Sequence, residues 1–397
     1  MAAVYLAPLY LLVNYYIFRR LIRWLGAISP FFKKRWPLAL IIVVYLFLAC
    51  AMLAGFLLPH SRAEWFLKQI GNYWLGVLLY TILTLAVAEL LRFLLKRSRH
   101  INQNKLQSTE ALAWTGSICL CVILLISSWG VINARNIHVT KYDVTIHKSV
   151  DKMDTLKVVL TADLHLGYNT GCRQMKQMVE KINAQEPDIV VIAGDIFDNQ
   201  YDALDDPQKL ASILRGIKSR YGVYAVLGNH DVDEKILAGF TFSGKKEEQV
   251  SDPRMDALLK EADITLLRDE AVLIHDSFYI YGRPDASRPG RGITTRKTPQ
   301  EITAALDKSK PILVLDHQPR QLQELADAGV DLDLCGHTHD GQVFPGNLVV
   351  RLFWENPCGY LQKGQMHSIV TAGAGVFGPN MRVGTKAEIC SITVHFE

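Results

Sequence analysis

The 397-residue chain has no large surplus of either charge: 43 Lys and Arg stand against 39 Asp and Glu, a net of +4. That is too little for the dense basic surface on which nucleic-acid affinity rests, and no nucleic-acid partner is expected. Its seven cysteines include no CxxC pair, which argues against a zinc ribbon or a thioredoxin-like site. Cys50, Cys119 and Cys121 fall within apolar runs and read as small membrane-core residues. Cys172, Cys335, Cys358 and Cys390 are free to pair in an oxidising compartment, but their spacing assigns no bond. There is no internal repeat and no low-complexity tract, so a solenoid or a disordered tether is not indicated.

Apolar residues make up 49% of the chain and are unevenly spread, with most of the excess in the first 133 residues. Four runs stand out there: 4–18, 38–58, 73–91 and 111–132. A helix crossing the ~30 Å hydrocarbon core needs about 20 residues, with about 17 as the lower limit. The last three runs reach that length. The first does so only with its flanking residues, and a signal-peptide core or an interfacial helix competes for it. Its positive charges (Arg19, Arg20, Arg23) follow the run instead of preceding it, which favours a span over a signal peptide. Residues 1–134 are therefore expected to form a membrane region of four transmembrane helices, and 135–397 a second domain. Basic residues gather between runs one and two (Arg19 to Arg35) and between runs three and four (Arg92 to Lys105). Only Arg62 and Lys68 lie between runs two and three. Lys and Arg accumulate on the cytoplasmic side, so the reading is a multi-pass protein of the cell membrane with an extracytoplasmic C-terminal domain. Asn14 and Glu89 are polar groups within the runs, and Glu89 has Arg92 one turn away as a partner. Two such residues do not make a transport pathway.

After Ile132 the pattern changes. Residues 137–146 alternate imperfectly, as strands or a hairpin would. Short β-branched runs then follow at 156–161, 188–193, 223–227, 278–281, 311–315, 332–335, 368–371 and 389–396. Helical segments lie between them, among them 173–185 and 207–221, and Thr298-Pro-Gln-Glu301 reads as a capping box. The rhythm is that of a layered α/β domain.

Polar metal-ligand residue types follow five of these strands. They are Asp163 and His165; Asp195 and Asp198; Asn229 and His230; His317; and His337 and His339. Residues two apart on an extended chain face the same way, so Asp163 and His165 are expected to meet one ion. Glycines beside the ligands (Gly194, Gly228, Gly336) permit sharp turns and close approach. The donors are carboxylate, amide and imidazole without thiolate. That set suits Mn, Fe or Zn better than Ca, and its size fits two divalent ions sharing a carboxylate. A single histidine at a strand end is more often structural, and His147 and His275, with no motif around them, are read so. The ordered set is a different matter.

The series DLH, GDIFD, GNHD, DH and GHTH, in that order across residues 155–340, resembles the signature of the calcineurin-like metallophosphoesterase superfamily, and more closely its bacterial membrane-associated branch. The resemblance implies a four-layer αββα sandwich after the helical membrane region. It implies that Asp163, His165 and His339 hold one ion, that Asn229, His317 and His337 hold the other, and that Asp195 bridges them. His230, oriented by Asp198, would act on the substrate. The protein-phosphatase branch has an arginine where this chain has Asn199, which argues against a phosphoprotein substrate. The expected activity is hydrolysis of phosphate mono- or diesters by attack of a metal-bridging hydroxide, with a lipid-linked or membrane-proximal substrate favoured by the tether. The competing reading is a non-catalytic metal-binding sensor or scaffold at the membrane, which predicts broken ligands; none of the seven is missing. Arg382 is a candidate phosphate contact or a surface residue, and the Pro/Gly-rich stretch 283–292 reads as a solvated loop.

Overall fold

A computed structural model describes residues 2–232, 236–237, 240–241, 252–290 and 293–397. The chain divides into two units, one formed mainly by residues 1–132 and the other mainly by 133–397.

The first unit is helical. Its long helices are α1 (Ala2–Ile28), α2 (Arg35–Leu57), α3 (Arg62–Arg97) and α4 (Thr109–Ala134). The last three are long and apolar enough to cross a membrane. The first of the four expected spans, α1, is a helix of 27 residues but does not belong to that set. Pro8, Asn14 and the arginines from Arg19 on interrupt its apolar run. Asn14 accepts from Tyr45 Oη at 3.0 Å through its side chain. Glu89 pairs with Arg20 of α1 at 2.6 Å, so its partner is not the Arg92 expected from local spacing. Each polar group thus has a partner on a neighbouring helix. Gly71 lets α3 lie against α2, because a Cβ there would stand 2.8 Å from Met52 Cα.

The second unit is built on two six-stranded sheets. The first contains β1 (Ile137–Ile146), β2 (Thr155–Thr161), β3 (Ile189–Ala193), β4 (Val223–Val226), β5 (Ile264–Leu266) and the C-terminal strand β12 (Ala387–Phe396), in the order β1-β12-β2-β3-β4-β5. The second contains β6 (Glu270–Ile274), β7 (Phe278–Gly282), β8 (Ile312–Leu315), β9 (Leu332–Cys335), β10 (Gly359–Lys363) and β11 (Met366–Val370), in the order β10-β11-β9-β8-β7-β6. Residues 137–146 form one strand and not a hairpin, pairing in parallel with β12 along its whole length. Strands β2, β3, β4 and β5 are parallel to one another, as are β7, β8, β9 and β11.

Alternation along the strands sorts side chains between layers. Val158, Leu160 and Val191 join Leu313, Leu315, Leu332 and Leu334 in a core between the two sheets. Val159, Val190 and Ile192 face the opposite way, onto Met175, Met178 and Ile182 of the helix Cys172–Asn183 and Leu210 and Leu214 of the helix Pro207–Arg215. Ile312 and Val314 face Ile302, Leu322 and Leu325 on the outer side of the second sheet. The result is the expected helix–sheet–sheet–helix sandwich. The helix expected to reach residue 221 stops at Arg215, where Gly216 caps it. The box at Thr298 and Glu301 forms as read.

Candidate metal centre

Strands β2, β3, β4, β8 and β9 deliver their polar termini to one place. Asp163, His165 and His339 each offer a ligand atom within 4.8 Å of one another's, and so do Asp195, His317 and His337. Asp195 Oδ2 lies 3.2 Å from His317 Nε2 and 3.7 Å from His165 Nε2, so one carboxylate oxygen faces both groups. Asn229 Oδ1 sits 3.1 Å from the same His317 Nε2, and His337 Nδ1 3.2 Å from it. Asp163, His165, Asp195 and His317 are buried almost completely.

The backbone that achieves this is strained. Asp163 and His165 converge, but not because the chain there is extended. Their φ angles are +51° and +44°, in the left-handed region, as are those of Asp195 (+49°), His337 (+75°) and His339 (+52°). Non-glycine residues held there cost about 1–3 kcal/mol each and persist where surrounding structure enforces them. Hydrogen bonds supply that enforcement: Asp163 accepts from His337 N–H at 2.9 and 3.0 Å, and Asp195 Oδ1 accepts from His230 N–H at 2.7 Å. The adjacent glycines are there for space. A Cβ on Gly194 would stand 2.6 Å from His317 Nδ1, and one on Gly336 2.6 Å from Asp163 Oδ2.

The donor chemistry fits cations. His317 Nδ1–H donates to Ala193 C=O at 2.8 Å, which leaves Nε2 facing the carboxylate, amide and imidazole acceptors just described. His165 Nε2 and His339 Nε2 approach to 3.0 Å, and His165 Nδ1 is buried without a hydrogen-bond partner. Imidazole nitrogens and carboxylate oxygens converging this closely are a donor set suited to divalent cations. Burial pushes His165 and His337 down to about 3, and His339 well below its ordinary value, so these rings are neutral electron-pair donors near pH 7. Burial also opposes charge on His317, yet the Asp195 carboxylate holds its pKa well above the usual imidazole range. Burial likewise opposes charge on Asp195, but His317 and then His230 keep it well below the usual carboxylate range. Asp163 is pushed up to about 7, chiefly by burial.

His230 stands at the edge of this cluster. Its Nδ1 is 2.6 Å from Asn199 Oδ1, and its ring centroid is 4.4 Å from that of Phe377. Asp198 lies with His165 and His230 in a third group of mutually close ligand atoms, 3.9 Å from His165 Nδ1. Asn199 thus makes a bond to His230 that sequence reasoning did not give it, having used it only as a departure from another branch. Its place directly after GDIFD was the available signal; for Phe377 there was none. Asp231 accepts from Phe197 N–H at 2.8 Å and Gly228 N–H at 2.7 Å and ties two ligand loops together.

Two arginines differ from their expected settings. Arg382 is fully buried, neither a surface residue nor open to a phosphate. Its guanidinium donates to the carbonyls of Ala372 (2.6 Å), Gly375 (2.8 Å) and His339 (3.2 Å), bracing the turn that carries His339. The stretch from Arg283 is not simply solvated either: Arg283 and Asp285 are buried, and Arg283 pairs with Asp316 at 2.8 Å. Arg291 and Gly292, at its end, lie outside the described residues. All seven cysteines are free.

Comparison with known proteins agrees with this arrangement. The profile described as calcineurin-like phosphoesterase matches residues 156–341. The chain is 30% identical to a Danio rerio transmembrane protein with metallophosphoesterase domain, over 98% of this chain and 88% of the relative. It is 29% identical to an uncharacterized metallophosphoesterase of Campylobacter jejuni, over 95% and 94%. It is 23% identical to the UDP-2,3-diacylglucosamine pyrophosphatase LpxG of Chlamydia trachomatis, over 52% and 70%. With ligand-type side chains gathered at the strand ends of such a sandwich, and a match running nearly end to end, this membrane protein belongs to the calcineurin-like phosphoesterase family.

Proposed function

We propose that the chain hydrolyses phosphate mono- or diesters with two divalent cations, Mn, Fe or Zn. Asp163, His165 and His339 hold one, Asn229, His317 and His337 the other, and Asp195 both. The observation that carries this is the Asp195 carboxylate oxygen placed 3.2 Å from one imidazole group and 3.7 Å from the other. Cations there would neutralise phosphoryl charge and lower the pKa of a water. The chain's own residues do the rest. Asn199 Oδ1 accepts from a His230 ring protonated on Nδ1, so the proton His230 exchanges with the leaving oxygen is the one on Nε2. Asp198, close to His165 and His230, favours the charged ring. Phe377 covers one side of the imidazole and limits water there. Chelation of the detergent-solubilised chain is expected to lower turnover of bis(p-nitrophenyl) phosphate or p-nitrophenyl phosphate by about 100-fold or more, with recovery on adding Mn or Zn. A wild-type chain that binds two ions and hydrolyses neither ester would favour the sensor or scaffold reading.

The catalytic unit is read as extracytoplasmic in a multi-pass cell-membrane protein. The basic stretches 19–35 and 92–105 flank α2 and α3, and this side follows from the last three helices whether or not α1 crosses. Alkaline phosphatase fused after Glu397 should be active and a cytoplasm-only fluorescent reporter dark; the reverse pattern rejects the orientation. A lipid-linked or membrane-proximal phosphate is the favoured substrate. Support comes from the membrane helices and from the relative whose name carries a diacylated sugar nucleotide.

A further inference from the structure

Large apolar side chains exposed to solvent are few in the unit holding the metal centre, and they are concentrated. Phe344, Leu348, Val349, Leu352 and Phe353 all lie within residues 344–353, and Leu352 and Phe353 are 79% and 77% exposed. Elsewhere in the described residues of that unit only Leu273 and Tyr360 are comparable. Such a concentration marks an interaction surface, where scattered single residues would not.

The segment is a built surface. It contains a short helix, Gly346–Val349, and a 3₁₀ turn, Val350–Leu352. Phe344 N–H donates to Val383 C=O at 2.8 Å, and Trp354 N–H donates to Val350 C=O at 3.2 Å. Gly341 and Gly346 pack backbone on backbone, too close for a Cβ at either. Beyond the segment, Asn356 donates to Ser368 C=O at 3.2 Å. Its apolar face is therefore held outward by bonds at both ends.

The same segment touches the metal centre. The Trp354 ring lies 5.1 Å, edge-on, from the ring of His337, and the Arg320 guanidinium lies 4.6 Å over Trp354. Arg351, in the middle of the apolar run, is 60% exposed and lies 3.8 Å from the Asp340 carboxylate. Exposed Phe and Leu interleaved with arginine and flanked by Trp are the composition of a protein surface seated at a lipid interface, where the chains take the apolar groups and anionic headgroups the cations. Only Arg135 and Asn136 separate the last span-length helix from β1, so a bilayer surface is always within reach of this unit.

We infer that residues 344–353 form a membrane-contacting face that enters the lipid interface beside the metal centre and brings headgroup phosphates to its His337 side. The substrate half of this inference rests on the phosphoesterase reading above; the docking half does not. The test uses the full chain in nanodiscs of phosphatidylethanolamine and phosphatidylglycerol. A benzophenone amino acid is placed at Leu352, with Leu125 in a span helix as the positive position and exposed Lys308 as the negative one. Lipid adducts at position 352 well above those at 308 are expected. Adducts at the level of 308, or adducts to protein, overturn the docking. In parallel, the double variant Leu352→Ser, Phe353→Ser is expected to keep hydrolysis of a soluble nitrophenyl ester within about twofold and to lose about tenfold or more on phosphatidic acid or a polyprenyl phosphate in the disc. Equal losses on both substrates, or none on either, overturn the presentation role. Absence of hydrolysis in the wild type would defeat the enzyme reading while leaving the crosslinking result to stand or fall alone.

Discussion

Asp195→Asn is expected to lower phosphoester turnover by about 10³-fold or more and to leave the protein with less than its full complement of two ions. The magnitude follows from the chemistry at stake: charge stabilisation by bound cations is worth several kcal/mol, and each ~1.4 kcal/mol is a factor of ten in rate. The substitution is nearly isosteric, and its carbonyl can still accept from His230 N–H, the bond Asp195 Oδ1 makes at 2.7 Å. What it removes is the anionic oxygen facing His317 at 3.2 Å and His165 at 3.7 Å. A neutral amide there turns two donor groups sharing a charge into two weaker separate ones. The fold should survive, because the strands on either side are anchored in the core between the sheets and in the helix-facing core. Metal content by mass spectrometry and kcat on a nitrophenyl ester are read on the same preparation. Two ions per chain together with activity within tenfold of the wild type would remove Asp195 from its shared role.

Much of this architecture could be read from residues alone, because the physics involved is local and periodic. Strands such as Ile189–Ala193 and Ile312–Leu315 announce themselves by length and β-branching, and their inner and outer faces follow from a period of two. The short strands Ile264–Leu266, Glu270–Ile274 and Gly359–Lys363 were not expected. All three are outermost, Ile264–Leu266 in the first sheet and Glu270–Ile274 and Gly359–Lys363 at the two edges of the second, where both pair antiparallel, so pairing and not composition defines them. The candidate donors are legible because the GDIFD, GNHD and GHTH motifs put glycine next to the ligand types, and close packing explains the glycine. Long-range partners are not legible in this way. Arg382 looks like any exposed arginine until the carbonyls of Ala372 and Gly375 are seen to surround it. Glu89 has a cation one turn away in sequence, yet its partner is Arg20 on another helix. In both cases the deciding contact joins residues whose proximity is set by packing, and no window of the sequence contains it.

The backbone strain at the ligands bears on how the site works. Five site residues with left-handed φ angles store conformational energy that the unfolded chain does not carry. The energy is offset by hydrogen bonds such as those from His337 N–H to the Asp163 carboxylate, and by the sandwich packed around them. Strain of this kind holds donors at fixed positions, so that little rearrangement is needed when a cation or a phosphoryl group arrives. Burial separates the cluster from a chance gathering of surface acids: Asp163, His165, Asp195 and His317 are almost completely shielded from solvent.

His230→Ala tests a different function of the same cluster. Its expected signature is a fall in kcat of about 10²–10⁴, the usual contribution of a positioned general acid, with both ions retained. Retention is expected because His230 belongs to neither of the two groups assigned to the ions, and because its backbone N–H, which supports Asp195, survives the change. The loss should also depend on the leaving group. An ester whose leaving oxygen is a good anion, such as a nitrophenolate, needs little protonation and should lose least; an alkyl phosphate should lose most. Asn199→Ala offers the companion measurement. It removes the acceptor 2.6 Å from His230 Nδ1 without touching any assigned ligand, and should reproduce part of the loss with the same leaving-group trend. Asn199→Asp should restore some of it, since a carboxylate accepts the same bond and favours the charged ring. A His230→Ala chain that loses its ions, or loses nitrophenyl and alkyl esters by the same factor, would mean that this histidine supports the metal site and does not deliver a proton.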